Sequence, residues 1–333
     1  MKVVALKKKT VVYIVILIAV ACLLAAAYVF LSRWADNLNA GNPEDPTSNE
    51  DGRIAINNEW YIPKEHLDSI LLIGIDKTDD QVVEENNRNN RLADFNMLIV
   101  IDNENETYSA IQLNRDTMTN IYATDEEGQE INPVFGQLAM AHTYGQGSDD
   151  SCMNVVKTVS KLLMNMEIKH YASFTMDAVP VINDMVGGVT VTCLDDFSAF
   201  YPEMTEGSVV TLKGKQALTY IRARKSMSEP TNTARMERQR QYIAAFQEKL
   251  SGKVKVDNDF ISKAYKTLTN DIVTDCTVNQ LQRLYDKAQD YTFTGIFTPK
   301  GEAKVGEKYM EFTVDKDDLK QIIADVYFTA VKD

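Results

Sequence analysis

The chain has 333 residues and a formal net charge of -13 at pH 7. That length allows one large domain or two modest ones with an ample core, in a composition typical of globular proteins. The acidic balance excludes bulk nucleic-acid binding, which demands a basic face, so the informative feature is any concentration of arginine.

Residues 11–31 read VVYIVILIAVACLLAAAYVFL without a charge, and about 20 apolar residues span a bilayer as a helix. Lys2, Lys7, Lys8 and Lys9 precede them. By the positive-inside rule residues 1–10 are then cytoplasmic, 11–32 a transmembrane anchor, and the remainder extracytoplasmic. A cleaved signal peptide is the rival reading, with Ala25–Ala27 as the small-residue site. The run continues to Leu31, however, and signal h-regions span only ~7–15 residues. Residues 33–53, rich in Asn, Pro, Gly and acids, read as a flexible linker.

The folded part, 54–333, opens with SILLIGID (69–76), a buried strand, then a polar loop (77–90). NMLIVID (96–102) and TYSAIQL (107–113) flank a polar turn and predict a β-hairpin. Helical spacing covers 149–166, with Met153, Val156 and Leu163 on its apolar side. A strand at 171–174, a helix at 176–185 stopped by Gly187-Gly188 and a strand from Val189 follow. TYIRAR (219–224) reads as a strand and 233–250 as a long helix capped by Asn232 or Thr233. Helices at 278–289 and 317–327 close the chain. Strands interleaved with helices predict an α/β fold, a three-layer α/β/α domain with a mixed central sheet.

Cys22 lies in the apolar run, and Cys152, Cys193 and Cys276 lie beyond it. No C-x-x-C pair is present, which argues against a zinc or redox site. A disulfide between two of the outer three remains open. Three histidines, His66, His142 and His170, give little support to a histidine-based metal site or a Ser-His-Asp triad.

The arginines carry the chemistry. In a strand, Tyr220, Arg222 and Arg224 share one face, and two adjacent guanidiniums fit a phosphate. A salt-bridged surface strand is the alternative. Arg235, Arg238, Gln239 and Tyr242 form one stripe of the long helix, with Met236, Ile243, Phe246 and Leu250 on its packed side. Arginine in a first helical turn opposes the macrodipole unless an anion binds there. Asn114-Arg115-Asp116-Thr117 adds an arginine at a strand end. Asp76 and Asp94 stand beside apolar strands, where carboxylates can hold Mg²⁺.

Together the segments LLIGID, ADFNMLIVID, AIQLNRDT, AMAHTYGQG, MVGGVTV, LKGKQALTYIRAR and ARMERQRQ, in this order over 69–250, resemble the LytR-CpsA-Psr family of Gram-positive cell-envelope proteins. The resemblance implies transfer of a glycopolymer with its phosphate from a polyprenyl-pyrophosphate carrier to a cell-wall acceptor such as peptidoglycan, at the outer face of the cell membrane. It implies that Arg115, Arg222, Arg224, Arg235, Gln239 and Asn232 contact the pyrophosphate. It also implies that Asp94, Arg115, Arg222 and Arg224 act in catalysis, that Asp76 and Asp94 hold Mg²⁺ (or Mn²⁺), and that an apolar tunnel holds the prenyl chain. Three positions depart from the family pattern: Leu92 replaces an arginine, with Arg91 displaced by one, Gln137 replaces a lysine, and Asn232 replaces an aspartate. These departures leave open a second reading, a non-catalytic or regulatory module that binds polyprenyl pyrophosphate.

Overall fold

β1 (Ile54–Ile56) and β2 (Glu59–Pro63) begin a computed structural model that describes residues 53–331, apart from residues 57–58, 77–88, 126–127 and 225–230. The expected anchor and linker therefore lie outside the described residues, except for Arg53, and among those described no helix is long and apolar enough to cross a membrane. β3 (Leu67–Ile75), β4 (Ala93–Asp102) and β5 (Thr107–Leu113) follow, then β6 (Met118–Ile121) and β7 (Val134–Gln137). A 3-10 helix (Leu138–Tyr144) leads to α1 (Asp149–Leu162), β8 (His170–Thr175), α2 (Ala178–Met185), β9 (Val189–Thr192) and β10 (Val209–Leu212). Next come α3 (Lys215–Arg222), α4 (Asn232–Val256), α5 (Phe260–Thr267), β11 (Ile272–Thr274) and α6 (Val278–Asp290). β12 (Thr292–Phe297), β13 (Gly301–Val305), β14 (Met310–Val314), α7 (Lys316–Tyr327) and β15 (Phe328–Ala330) complete the chain.

The central sheet is mixed, as the sequence predicts, with strand order β11-β8-β3-β4-β5-β12. β3–β4, β4–β5 and β8–β11 are antiparallel, whereas β3–β8 and β5–β12 are parallel. Alternation along the strands loads both faces. Leu71, Ile73, Leu98, Val100 and Ile111 pack with Val155, Val159 and Leu162 of α1 and Ile323 of α7. Phe95, Met97 and Ala110 point the other way, against Ile243 of α4. A second cluster, with Val179, Val189, Phe197, Tyr220 and Tyr242, joins α2, α3, α4 and β9.

β4 breaks its own alternation once. Gly74 pairs with Phe95 but Ile75 pairs with Ala93, so Asp94 is the surplus residue of a β-bulge. Asn96 Nδ2 donates to the Ala93 carbonyl at 3.0 Å across it. Bulges re-aim a side chain out of the pleat, and here the re-aimed side chain is an acid.

Several expectations are corrected. TYIRAR is not a strand: Thr219–Arg222 ends α3, and the helix stops at Ala223. Its Thr, Tyr and Ile favour strands only weakly, whereas Ala217 and Tyr220, three apart, are both buried on one helical face. The cap of α4 is Thr231, whose hydroxyl accepts from Ala234 N at 3.2 Å, and Asn232 is already helical. Met153 is exposed, because α1 buries Cys152, Val155, Val156 and Val159 instead. Cys152, Cys193 and Cys276 are all free and buried, so no disulfide joins them.

Candidate functional site

The bulge places Asp94 beside the end of β3, where Asp76 N donates to the Leu92 carbonyl at 3.1 Å. The turn after β5 and the first turns of α4 supply the cations. Arg115 Nη1 donates to Asp94 Oδ1, and Arg235 Nη1 reaches Asp94 Oδ2 at 3.4 Å. Arg235 Nη2 also donates to Asn232 Oδ1 at 2.6 Å, and Asn232 Nδ2 donates to Asn114 Oδ1 at 2.6 Å. Asn114 Oδ1 in turn accepts from Asp116 N at 2.9 Å. Asn232 thus ties the helix to the turn, and a neutral amide suffices for both bonds.

Asp116, next to Arg115 in the turn after β5, is a second buried acid of the group. Its carboxylate lies 3.3 Å from Arg115 Nε and accepts from Gln137 Nε2 at 2.9 Å. Burial pushes its pKa up, against the guanidiniums of Arg115, Arg224 and Arg235, which pull it down. Gln137 therefore faces a carboxylate that a lysine would neutralise. Arg235 is 4% exposed. Burial lowers its pKa to about 10 against the pull of Asp94, and Arg115 and Arg224 lower it further. Its Nε has no hydrogen-bond partner. Arg224 feels Asp116 and Arg235 but makes no hydrogen bond or ion pair among the described residues. Arg222, at the end of α3, is more exposed and holds Asp76 at 2.7 Å.

Among the described residues the site thus sets the guanidiniums of Arg115, Arg222, Arg224 and Arg235 against the carboxylates of Asp76, Asp94 and Asp116. Gln239 is turned inward instead: it accepts from Gln112 Nε2 at 3.2 Å and donates to the Ile221 carbonyl at 3.3 Å. The polar stripe of α4 is its buried side, not an exposed face. Arg238 in that stripe is wholly structural, donating to Asp195 and to the Tyr220 and Ala223 carbonyls at the end of α3. Asp76 and Asp94 offer the hard oxygens that Mg²⁺ prefers, with phosphate oxygens to complete the shell. In chemical kind the donor set fits. Three cavities among the described residues, of about 590, 580 and 410 Å³, are lined by none of these arginines, and none of the three is the expected apolar tunnel. The two larger ones share His66, Leu67 and Lys169 at the start of β3, opposite to the Asp76 end.

Arg91, next to the departure at Leu92, is held by the loop that precedes α1. Its Nη1 donates to the Gly147 carbonyl at 3.1 Å, its N to Asn89 Oδ1 at 2.9 Å, and its carbonyl pairs with His142 Nδ1 at 2.9 Å. His142 is fully buried, and burial depresses its pKa to about 4. Between about pH 6.5 and 4 the unfolded chain takes up a proton that the native imidazole refuses. Stability is therefore complete above that window and falls on acidification through it, by about 3 kcal/mol for this group. Urea midpoints at pH 7 and pH 4.5 should show a loss of that order that is absent from His142→Leu. Equal losses in both proteins would refute it.

Residues 33–326 match the model of the LytR_cpsA_psr family. A polyisoprenyl-teichoic acid–peptidoglycan teichoic acid transferase, TagU, of Enterococcus faecalis is 26% identical over 224 residues, 67% of this chain and 65% of that protein. The TagU of Oceanobacillus iheyensis is 27% identical over 227 residues, 68% of this chain and 64% of its own length. The chain thus spans just under two thirds of these relatives. The crystal structure of protein gbs0355 of Streptococcus agalactiae superposes with a TM-score of 0.63 at 22% identity, over 78% of this chain and 86% of that one, a likeness of fold.

Proposed function

This chain belongs to the LytR-CpsA-Psr family, and from that membership we propose that it transfers a glycopolymer, with one phosphate, from a polyprenyl-pyrophosphate carrier to a wall acceptor such as peptidoglycan. The observation that carries the reading is the convergence of Arg115, Arg224 and Arg235 on Asp94 and Asp116. Guanidiniums held this close, with Arg224 unpaired among the described residues, suit a diphosphate. The names of the TagU relatives, which carry the same type of transfer, support the substrate class.

The residues divide the work. Asp94 holds Arg115 and Arg235 in place until phosphate oxygens compete for them, a preorganisation that lowers the barrier. The acceptor hydroxyl oxygen bonds to the glycan-bearing phosphorus, and the bond to the bridging oxygen breaks. Polyprenyl phosphate leaves with its charge met by Arg224 and Arg222. The hydroxyl proton passes to Asp94 as its arginines turn to the phosphates. Asp76 and Asp94 would hold Mg²⁺, which would supply further charge neutralisation when bound. Residues 11–32 would anchor the chain with this domain on the outer face, within reach of the lipid carrier.

Arg91 on Gly147 and Gln137 on Asp116 favour a second reading, binding of the lipid pyrophosphate without turnover. Full-length protein in detergent, given a lipid-linked glycan, acceptor and Mg²⁺, separates the two by release of polyprenyl phosphate. Release that chelation abolishes supports transfer, whereas tight binding that survives chelation without product supports the second reading. Arg224→Ala should weaken binding at least ~10-fold, since one charge-assisted contact contributes about 1.5–3 kcal/mol. Its thermal midpoint should change little, because Arg224 makes no ion pair among the described residues. A lower midpoint with unaltered binding would remove Arg224 from the site.

A further inference from the structure

At the edge of the central sheet stands a group that the transfer reaction does not use. His170 begins β8, and Asp275 and Cys276 follow β11, the edge strand that pairs with β8. Thr274 is opposite Ala172 in that antiparallel register, so two further residues bring Cys276 opposite His170. One ligand atom from each of His170, Asp275 and Cys276 lies within 4.8 Å of the others. His170 Nδ1 is 3.2 Å from Asp275 Oδ2, and Asp275 Oδ1 accepts from Tyr171 N at 2.9 Å. Thr274 Oγ1 donates to the Tyr171 carbonyl, and the capping box of Thr277 and Gln280 fixes the start of α6 immediately after Cys276. The three side chains are therefore held by a strand pair on one side and a capped helix on the other, the rigid support a metal site needs.

We propose that His170, Asp275 and Cys276 form a Zn²⁺ site, a three-ligand tetrahedral centre completed by water. The ligand types decide the metal. Imidazole nitrogen and thiolate sulfur suit the borderline-soft Zn²⁺, and one carboxylate with them is ordinary. Mg²⁺ would demand oxygens that this group lacks. The charges also match, since carboxylate and thiolate together neutralise a divalent cation. Cys276 would bind as the thiolate, so metal uptake releases the thiol proton to solvent. Asp275 and His170 are open enough for an ion and its water to enter, while Cys276 forms the floor.

The centre is remote from the arginine cluster. His170 pairs with Ile70, six residues before Asp76, or about 20 Å along a strand. Its role is to fasten β11 and the start of α6 to the sheet. No C-x-x-C pair in the sequence announces this group. The ligands here are 105 residues apart.

Cobalt is the probe, because a thiolate bound to Co²⁺ gives a ligand-to-metal charge-transfer band that oxygen ligands cannot give. Full-length protein in detergent, stripped with EDTA, should take up one equivalent of Co²⁺ with that band, and one equivalent of Zn²⁺ should erase it. Cys276→Ser should abolish the band and His170→Ala should weaken uptake at least ~10-fold, while Cys152→Ser and Cys193→Ser keep it. No band with the wild-type protein at stoichiometric Co²⁺ overturns the proposal even if a variant misfolds. So does a band that survives Cys276→Ser.

Discussion

Asp94→Ala should abolish transfer and cost the fold about 3–5 kcal/mol, the effect expected when one member of a buried ionic group is removed. Arg115 and Arg235 both lean on this carboxylate, and both are largely buried. Without it they and Arg224 still face Asp116. The loss of a positioned proton acceptor is worth ~10²–10⁴ in rate, and disorder of the arginines adds to it. Asp94→Asn separates the two effects, because the amide keeps the volume and one acceptor oxygen. It should restore most of the stability, read by urea unfolding, but not product formation. An Asp94→Asn protein that releases polyprenyl phosphate at the wild-type rate would remove Asp94 from the chemistry.

Arg238→Ala should be the most damaging single change outside the site, again about 3–5 kcal/mol. The side chain is fully buried, pairs with Asp195 and satisfies the last carbonyls of α3. Its removal takes the guanidinium from the buried carboxylate of Asp195 and frees the helix end that carries Arg222. For a domain of this size the thermal midpoint should fall on the order of 10 °C. Arg238→Met with Asp195→Leu should recover much of that loss, since a well-packed apolar pair often equals a buried ion pair. If the single variant melts with the wild-type protein, the ion pair contributes nothing and the account of α3 fails.

The parts of the fold with strong local signals were legible in the sequence. The β4–β5 hairpin, α1, and α2 with its stop at Gly187 and Gly188, both at φ +89, follow from alternation, helical spacing and glycine. A shared site for Arg115 and Arg235 is implied by the family resemblance rather than by spacing, and both side chains meet Asp94. TYIRAR was misleading because strand-favouring residues there are overruled by packing of Ala217 and Tyr220 against a neighbouring core. On α4 the polar stripe faces inward, although polar residues usually face water. Here Arg235, Arg238 and Gln239 are buried because each finds a carboxylate or carbonyl. Asp116 was missed as part of the site because nothing local marks it. Its surroundings come from Gln137 and from the turn folding back beneath α4.

The surplus residue in β4 decouples the acid from the rows of packed side chains on either side. Ala93 and Phe95 keep their core contacts whatever stands between them. Chemistry at position 94 can therefore be retuned, from acid to amide or to another oxygen donor, without rewriting the hydrophobic code of the strand that carries it.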